Sequence, residues 1–336
     1  MYNSSNAHRH GVVGIDLGGT VVRGGWFDLR GELLAVEELP LHAQEGVAAG
    51  LSRIRELIHS LCQKSGAGSL VAIGVGATGP VDPAQGIINN PYTLPGWDHV
   101  PITAELQRHF GVPVALENDA DVAARGEYWK GAGQGVERLY AVTVGTGIGT
   151  AFILNGEIYR GVDGAHPEGG HHVIDPSGPA CYCGAHGCWE VMAAGPAIVR
   201  YAHEALASAQ DSALLALADG DLSRLTARDV AQAARDGDAL ARAVMDKAAA
   251  YFSLGLVNIV ALFLPQVIVL SGGVMKSLDL FLPAVTQALA DHQAMYPARK
   301  VRILPAALGY YAGVYGAAYT ALQMSNHRRE AIASPV

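Results

Sequence analysis

Three of the chain's four cysteines lie within eight positions, in the stretch "CYCGAHGCWE" at 181–190. A disulfide framework needs an even number of cysteines spread along the chain. The C-x-C-x4-C spacing of Cys181, Cys183 and Cys188 instead gathers three thiolates on one turn-rich loop. Tetrahedral zinc sites take four Cys or His ligands, so this loop reads as a metal clasp lacking one ligand. His166, His171, His172 and His186 are the candidates for the fourth. Glu190 follows Cys188 by two residues. The remaining cysteine, Cys62, lies in an amphipathic stretch and reads as an inert buried thiol.

A second chemistry is suggested by three glycine-rich turns, each after an apolar run: "DLGGT" at 16–20, "GTGIGT" at 145–150 and "SGG" at 271–273. Taken singly, each is a common hairpin turn. Together they suggest nucleotide binding, because backbone N–H groups of successive glycines make an anion-binding concavity. Thr20 adds a hydroxyl. Asp16 can hold Mg²⁺ through water, and Arg23 can meet a phosphate. "END" at 117–119 has two readings. Asn and Asp are preferred helix N-caps. A carboxylate at a strand's end can also act as general base towards a hydroxyl.

The elements that must position these groups follow from apolar spacing. Residues 12–28 read as strand, turn, strand, with Gly18 and Gly19 supplying positive φ, and 32–40 extend them into a meander. Helical spacing covers 46–62. Strands are expected at 70–82 and 112–119, the latter leading into a helix over 119–131. A second hairpin spans 138–156, Ala-rich helices follow over 196–262, and a strand covers 267–274. A helix, a strand at 300–306 and a last helix at 312–324 complete the order. The most apolar window, 251–270, is broken by Asn258, Pro265 and Gln266. It reads as a buried helix, a stop and a buried strand, since a membrane span needs about 20 mostly apolar residues.

Mixed strands and helices predict two α/β domains. The expected division is a disordered tail at 1–10, a small domain at 11–118 joined by helix 312–324, a large domain at 119–311 containing the loop 171–188, and a polar tail at 325–336. The chain has 336 residues, half of them apolar and 16% charged, which suits a well-packed globular protein. Its net charge of −8 argues against nucleic-acid binding through bulk electrostatics. "MYNSSNAHRHG" has no apolar core of a signal peptide, and a cytoplasmic, reducing location is expected.

These motifs in this order resemble the ROK sugar-kinase family, part of the actin and hexokinase group of ATPases. The resemblance runs from "DLGGTVVR" to "LSGGV" and includes "GPVD", "LPGW", "ENDADVAA", "VGTGIG", "HPEGGH" and "CYCGAHGCWE". It implies a two-domain actin-like (ribonuclease H-like) α/β fold with a cleft between the domains, and an ATP-dependent hexose kinase, with glucose to glucose 6-phosphate as the first expectation. It implies that Asp119 is the catalytic base and that Gly79, Asn118, Glu168, His171 and Glu190 join it in binding the sugar. Gly18, Gly19, Thr20, Thr146 and Gly147 match the phosphate turns, and Gly272 and Gly273 the nucleoside turn. His171, Cys181, Cys183 and Cys188 match the ligands of a structural Zn²⁺. ATP and Mg²⁺ are the implied cofactors, with a homodimer or homotetramer as the assembly.

Three departures bear on the sugar. Thr78 stands where many members have Pro, and Thr93 where many glucokinases have Asn. "HPE" at 166–168 replaces Ala-Gly-Glu and is familiar from fructokinase-like members. Fructose, mannose and N-acetylhexosamines are therefore the alternatives. The family also holds repressors with a winged-helix domain, for which the 15 residues before Asp16 are too few. A catalytically silent sugar sensor is the alternative of another class.

Overall fold

Alternation of side chains along "HGVVGIDL" sends Val13 and Ile15 to one face of a strand and Val12 to the other. Both faces are covered, which is why the strand reads as one apolar run. In the structure, a computed structural model that describes residues 10–66, 68–207, 212–219 and 221–333, this strand is central to a five-stranded sheet. The expected tail at 1–10 lies outside the described residues except for His10, which opens the strand.

The chain divides into two units. Met1–Gly135, Phe152–His166 and Ala307–Val336 form the first, and Val136–Ala151 with Pro167–Ala306 the second. The first unit contains β1 (His10–Leu17), β2 (Val21–Asp28), β3 (Leu33–Pro40), α1 (Val47–Lys64), β4 (Ser69–Ala77), the short β5 (Val81–Asp82) and β6 (Ile87–Ile88), α2 (Ile102–Phe110), β7 (Val114–Asn118) and α3 (Asp119–Lys130). The strand order is β3-β2-β1-β4-β7. β1, β4 and β7 run parallel, and the register sets Leu17 beside Ala77 and Ala77 beside Asn118. The residues that follow, Gly18, Thr78 and Asp119, therefore emerge at one edge, the carboxyl edge where ligands of open α/β sheets bind.

The second sheet has the order β10-β9-β8-β11-β12. Its strands are β8 (Arg138–Val144), β9 (Ile148–Leu154), β10 (Glu157–Ile158), β11 (Val267–Ser271) and β12 (Arg302–Pro305). Helices α4 (Trp189–Ala193), α5 (Gly195–Leu206), α6 (Ala213–Ala218), α7 (Ala227–Arg235), α8 (Ala239–Phe263) and α9 (Leu278–Asp291) belong to the second unit. α8 is long and apolar enough to cross a membrane, but half of its most apolar window is buried, and it packs on α4, α5, α7 and α9.

The last helix, α10 (Ala312–Ala333), returns to the first unit and runs past the expected end at 324. It lies against β1, β4 and α3. Small residues allow this approach: a Cβ on Gly14 would meet Val314 O at 2.2 Å, and one on Gly74 would meet Ala317 O at 1.9 Å. The first unit extends to Gly135 rather than ending at 118, where the sequence places the boundary. The reason is the α3–α10 pair, in which Gly126 faces Ala312 O and Gly316 faces Val122 O too closely for any side chain.

Candidate active site and zinc cluster

In the first unit, the turn after β1 closes with Gly18 N–H donating to Val21 O at 3.1 Å. Neither Gly18 nor Gly19 has a positive φ, contrary to the sequence reading. The constraint is space instead: a Cβ on Gly19 would lie 2.6 Å from Thr93 O. The loop bearing Thr93 is held by Asn90, which is fully buried. Its side chain donates to Thr93 Oγ1 at 2.7 Å and to Thr78 O at 3.0 Å, and accepts from Thr93 N–H at 3.1 Å. Gly79 joins Pro80 through a cis peptide, and a Cβ on Gly79 would meet Asn118 Nδ2 at 2.8 Å. Gly79 and Asn118 thus lie side by side, as the register of β4 and β7 requires.

Asn118 caps α3, its side chain accepting from Ala120 N–H at 2.8 Å. Asp119 Oδ1 accepts from the same N–H at 2.8 Å. Burial pushes the Asp119 carboxyl up to about 6, the hydrogen bond from Ala120 opposes this, and the nearby Asp16 charge adds to the rise. A carboxylate titrating there is suited to proton abstraction near neutrality. Asp16 is likewise raised by burial, an effect reduced by Arg23. Arg23 is not turned out towards a ligand. It contacts Asp16 Oδ2 at 3.2 Å and Glu38 Oε2 at 3.3 Å, and its guanidinium lies 3.5 Å from the centre of the Tyr310 ring. It therefore acts on this structure as the partner of Asp16.

In the second unit, Gly145 N–H donates to Gly147 O at 2.9 Å, closing the turn between β8 and β9. β11 runs parallel to β8 and ends beside this turn. Gly272 has φ +93° and would place a Cβ 2.3 Å from Val144 O, so only glycine fits. Gly145, Thr146, Gly273, Val274 and Lys276 line one cavity of about 850 Å³, together with residues of α5 and α7. That volume is in the range of small-molecule sites.

Glu190, in the first turn of α4, accepts from Ile148 N–H at 2.9 Å through Oε2. Gly147 permits it, since a Cβ there would lie 2.3 Å from that oxygen. Gly169 and Gly170 let the loop of Glu168 and His171 press on β9, where Cβ atoms would strike Thr150 Oγ1 and Ile148 O. Glu168 is exposed.

Of the four histidines weighed as the last metal ligand, His171 joins the cysteines. The ligand atoms of His171, Cys181, Cys183 and Cys188 all lie within 4.8 Å of one another. His171 Nδ1 is 3.4 Å from Cys181 Sγ, and Cys183 Sγ is 3.5 Å from Cys188 Sγ. Zinc bonds of about 2.0–2.3 Å in a tetrahedron give ligand separations of about 3.3–3.8 Å, so the donor set fits one zinc ion. The thiols are free, as metal binding requires.

The turns, the acid and the cluster occur in the order of one known family, and the match to the ROK family runs over residues 12–324. The chain belongs to the ROK family. It is 34% identical to a glucokinase of Halalkalibacterium halodurans, over 94% of this chain and 96% of that one. Among solved structures, a ROK hexokinase from Thermus thermophilus is 35% identical, with a TM-score of 0.78 over 94% of this chain and 99% of its own. A ROK family glucokinase from Streptomyces griseus, solved with glucose and AMPPNP, is 32% identical, with a TM-score of 0.75 over 93% and 99% of the two chains. The actin-like ATPase fold follows from these likenesses.

This ROK chain also holds a charged cluster that sequence reasoning passed over. Asp121, fully buried, meets Arg160 NH1 at 2.7 Å and His166 Nδ1 at 3.0 Å. Arg160 also grips Glu117, which lies 3.7 Å from Arg125. Asp121 and His166 act in opposite senses on Asp119, the first opposing and the second favouring its ionisation. Glu117 and Asp121 in "ENDAD" are the one signal in the sequence, but Arg160 and His166 lie some forty residues away. Asp121→Ala takes one carboxylate from Arg160, which keeps Glu117, and removes the contact that His166 makes at Asp121. The expected loss is about 1–3 kcal/mol of unfolding free energy, measured by urea denaturation.

Proposed function

We propose that the chain is an ATP-dependent hexose kinase, with glucose as the first substrate and the 6-phosphate as product. The observation that carries this reading is Asp119: a carboxylate titrating at about 6, next to Asn118 at the carboxyl edge of the first sheet, the edge that also bears Gly79 and the Gly18–Thr20 turn. In the reaction, Asp119 takes the proton of the sugar hydroxyl as the oxygen bonds to the γ-phosphorus. The bond to the β-phosphate oxygen breaks, and ADP leaves. Little covalent work falls to the protein, so positioning dominates.

The first unit supplies the base, Gly79 and Asn118 for the sugar, and one phosphate turn. The second supplies Glu168, His171 and Glu190 for the sugar. Its Thr146–Gly147 turn would hold phosphate, and Gly272 and Gly273 the nucleoside, with Thr146 and Gly273 on the wall of the 850 Å³ cavity. His171, Cys181, Cys183 and Cys188 would hold zinc, which with four protein ligands has a structural role and no open position for water. Mg²⁺, as ATP's usual companion, would neutralise phosphate charge.

Fructose is the second reading, favoured by His166, which replaces the Ala of Ala-Gly-Glu and is anchored on Asp121. The test is a coupled ADP-release assay over glucose, fructose, mannose, N-acetylglucosamine and N-acetylmannosamine. Hexose-dependent ADP formation is expected. Tight sugar binding with no ADP release from any hexose replaces the kinase with a sensor.

Gly147→Ala tests the link between phosphate turn and sugar loop. The added Cβ must displace Glu190 from Ile148 N–H. The KM for the hexose is expected to rise about tenfold, the value of one charge-assisted hydrogen bond. An unchanged hexose KM would remove Glu190 from the sugar site.

A further inference from the structure

One side chain of the zinc loop has no part in the roles above. Tyr182 lies between Cys181 and Cys183 and is 81% exposed. Its ring stands edge-on to His171, with centroids 4.9 Å apart and planes at 88°. Its hydroxyl is 3.0 Å from Nε2 of His171. The same hydroxyl hydrogen-bonds Glu190 and lies within the field of Glu168. These are the three groups of the second unit assigned to the sugar.

The chemistry of the contact is specific. Nδ1 of His171 faces the cysteine sulfurs, so Nε2 carries the ring proton and donates. The Tyr182 oxygen accepts it, and its O–H donates to the Glu190 carboxylate. A sugar hydroxyl has the same donor and acceptor capacity as a tyrosine hydroxyl. We propose that the Tyr182 hydroxyl is a built-in stand-in for a sugar hydroxyl. It satisfies His171 and Glu190 in the free protein and is displaced by the hexose. The inference rests on the reading of His171 and Glu190 as sugar contacts.

Displacement needs little movement. Tyr182 lies between Cys181 and Cys183, and its ring is 81% exposed, resting edge-on against His171. Rotation of the side chain alone clears the site, on the fast timescale of exposed rotamers. Glu190 stays in place because Ile148 N–H holds its Oε2. The hexose must therefore bring a hydroxyl that both accepts and donates. A sugar lacking it cannot compete, which makes Tyr182 a specificity-determining residue as well as a brake on affinity.

The test is hexose binding by calorimetry to full-length wild type, Tyr182→Phe and Tyr182→Ala, with zinc content and hexose-dependent ADP formation measured on the same samples. Removing the hydroxyl removes the competing hydrogen bonds, so Tyr182→Phe is expected to bind the hexose about two- to tenfold more tightly, with KM falling by the same factor. Zinc should remain at about one per chain in all three. Unchanged or weakened binding by Tyr182→Phe, with zinc retained, overturns the inference; if wild type still makes ADP, the kinase reading survives it. Tighter binding by Tyr182→Phe without ADP formation in any sample keeps the inference and removes the kinase. No hexose binding to any of the three proteins removes both.

Discussion

Asp119→Asn is expected to lower kcat by about 10²–10⁴-fold and to make the protein more stable at alkaline pH. Asparagine keeps the size and can still accept from Ala120 N–H, and Asn118 already caps the helix. It cannot take a proton. The stability effect follows from the carboxyl's rise from 3.8 to about 6 on folding. A group raised on folding contributes its full stability below its unfolded value and loses it as pH climbs through the folded value. Between about pH 4 and 6, wild type therefore loses stability that the variant does not. Asp119 keeps some contact with solvent, so the difference at pH 8 is on the order of 1–3 kcal/mol. Thermal melts at pH 4 and pH 8, with kcat at pH 8, measure both effects. Wild-type kcat/KM should also fall about tenfold per unit below pH 6, as the base becomes protonated. A variant within a few-fold of wild-type turnover would leave Asp119 as a helix cap only.

Cys183→Ser is expected to release zinc, weaken hexose binding and lower the melting temperature, although Cys183 is assigned no sugar contact. Its Sγ lies 3.5 Å from Cys188 Sγ in the four-ligand set. With the metal gone, His171 loses the ligand bond that would fix its tautomer and aim. Glu190, two residues past Cys188, is loosened with it. The hexose KM should rise by about 10- to 100-fold, the usual effect of disturbing a metal site's supporting shell, with a smaller change in the KM for ATP. Wild type should contain about one zinc per chain by elemental analysis. Zinc-free protein with unchanged hexose affinity would make the loop a structural clasp alone.

What could be read from the sequence divides along a physical line. The cysteine loop was legible because all its thiols come from eight consecutive positions. The three glycine turns were legible because each ends an apolar strand, and the parallel registers then bring Gly18 to Asp119, and Gly145 to Gly272. Contacts between distant segments were not legible. Arg23 reads as a free phosphate ligand until Tyr310, 287 residues on, is seen beneath it. Asn90 reads as one more loop asparagine, although it is fully buried and holds Thr78 and Thr93. Helix α2 was passed over because its nine residues hold only two buried apolar positions. The role of Gly18 and Gly19 was misread because turn statistics speak of φ, while the restriction at Gly19 is a neighbouring carbonyl.

The last helix has a consequence for how the chain is made. Val12, Phe27 and Ala72 are covered by Val314, Ala318 and Ala321. A nascent chain emerging from the ribosome presents one face of its first sheet long before the helix that shields it exists. At synthesis rates of about 5–20 residues per second, that face waits on the order of 10–60 s. The second unit, whose segments lie between Val136 and Ala306, is complete before then. The expected order of assembly therefore inverts the order of translation, with the second unit native first. The first sheet is left as the surface most in need of a chaperone until α10 arrives.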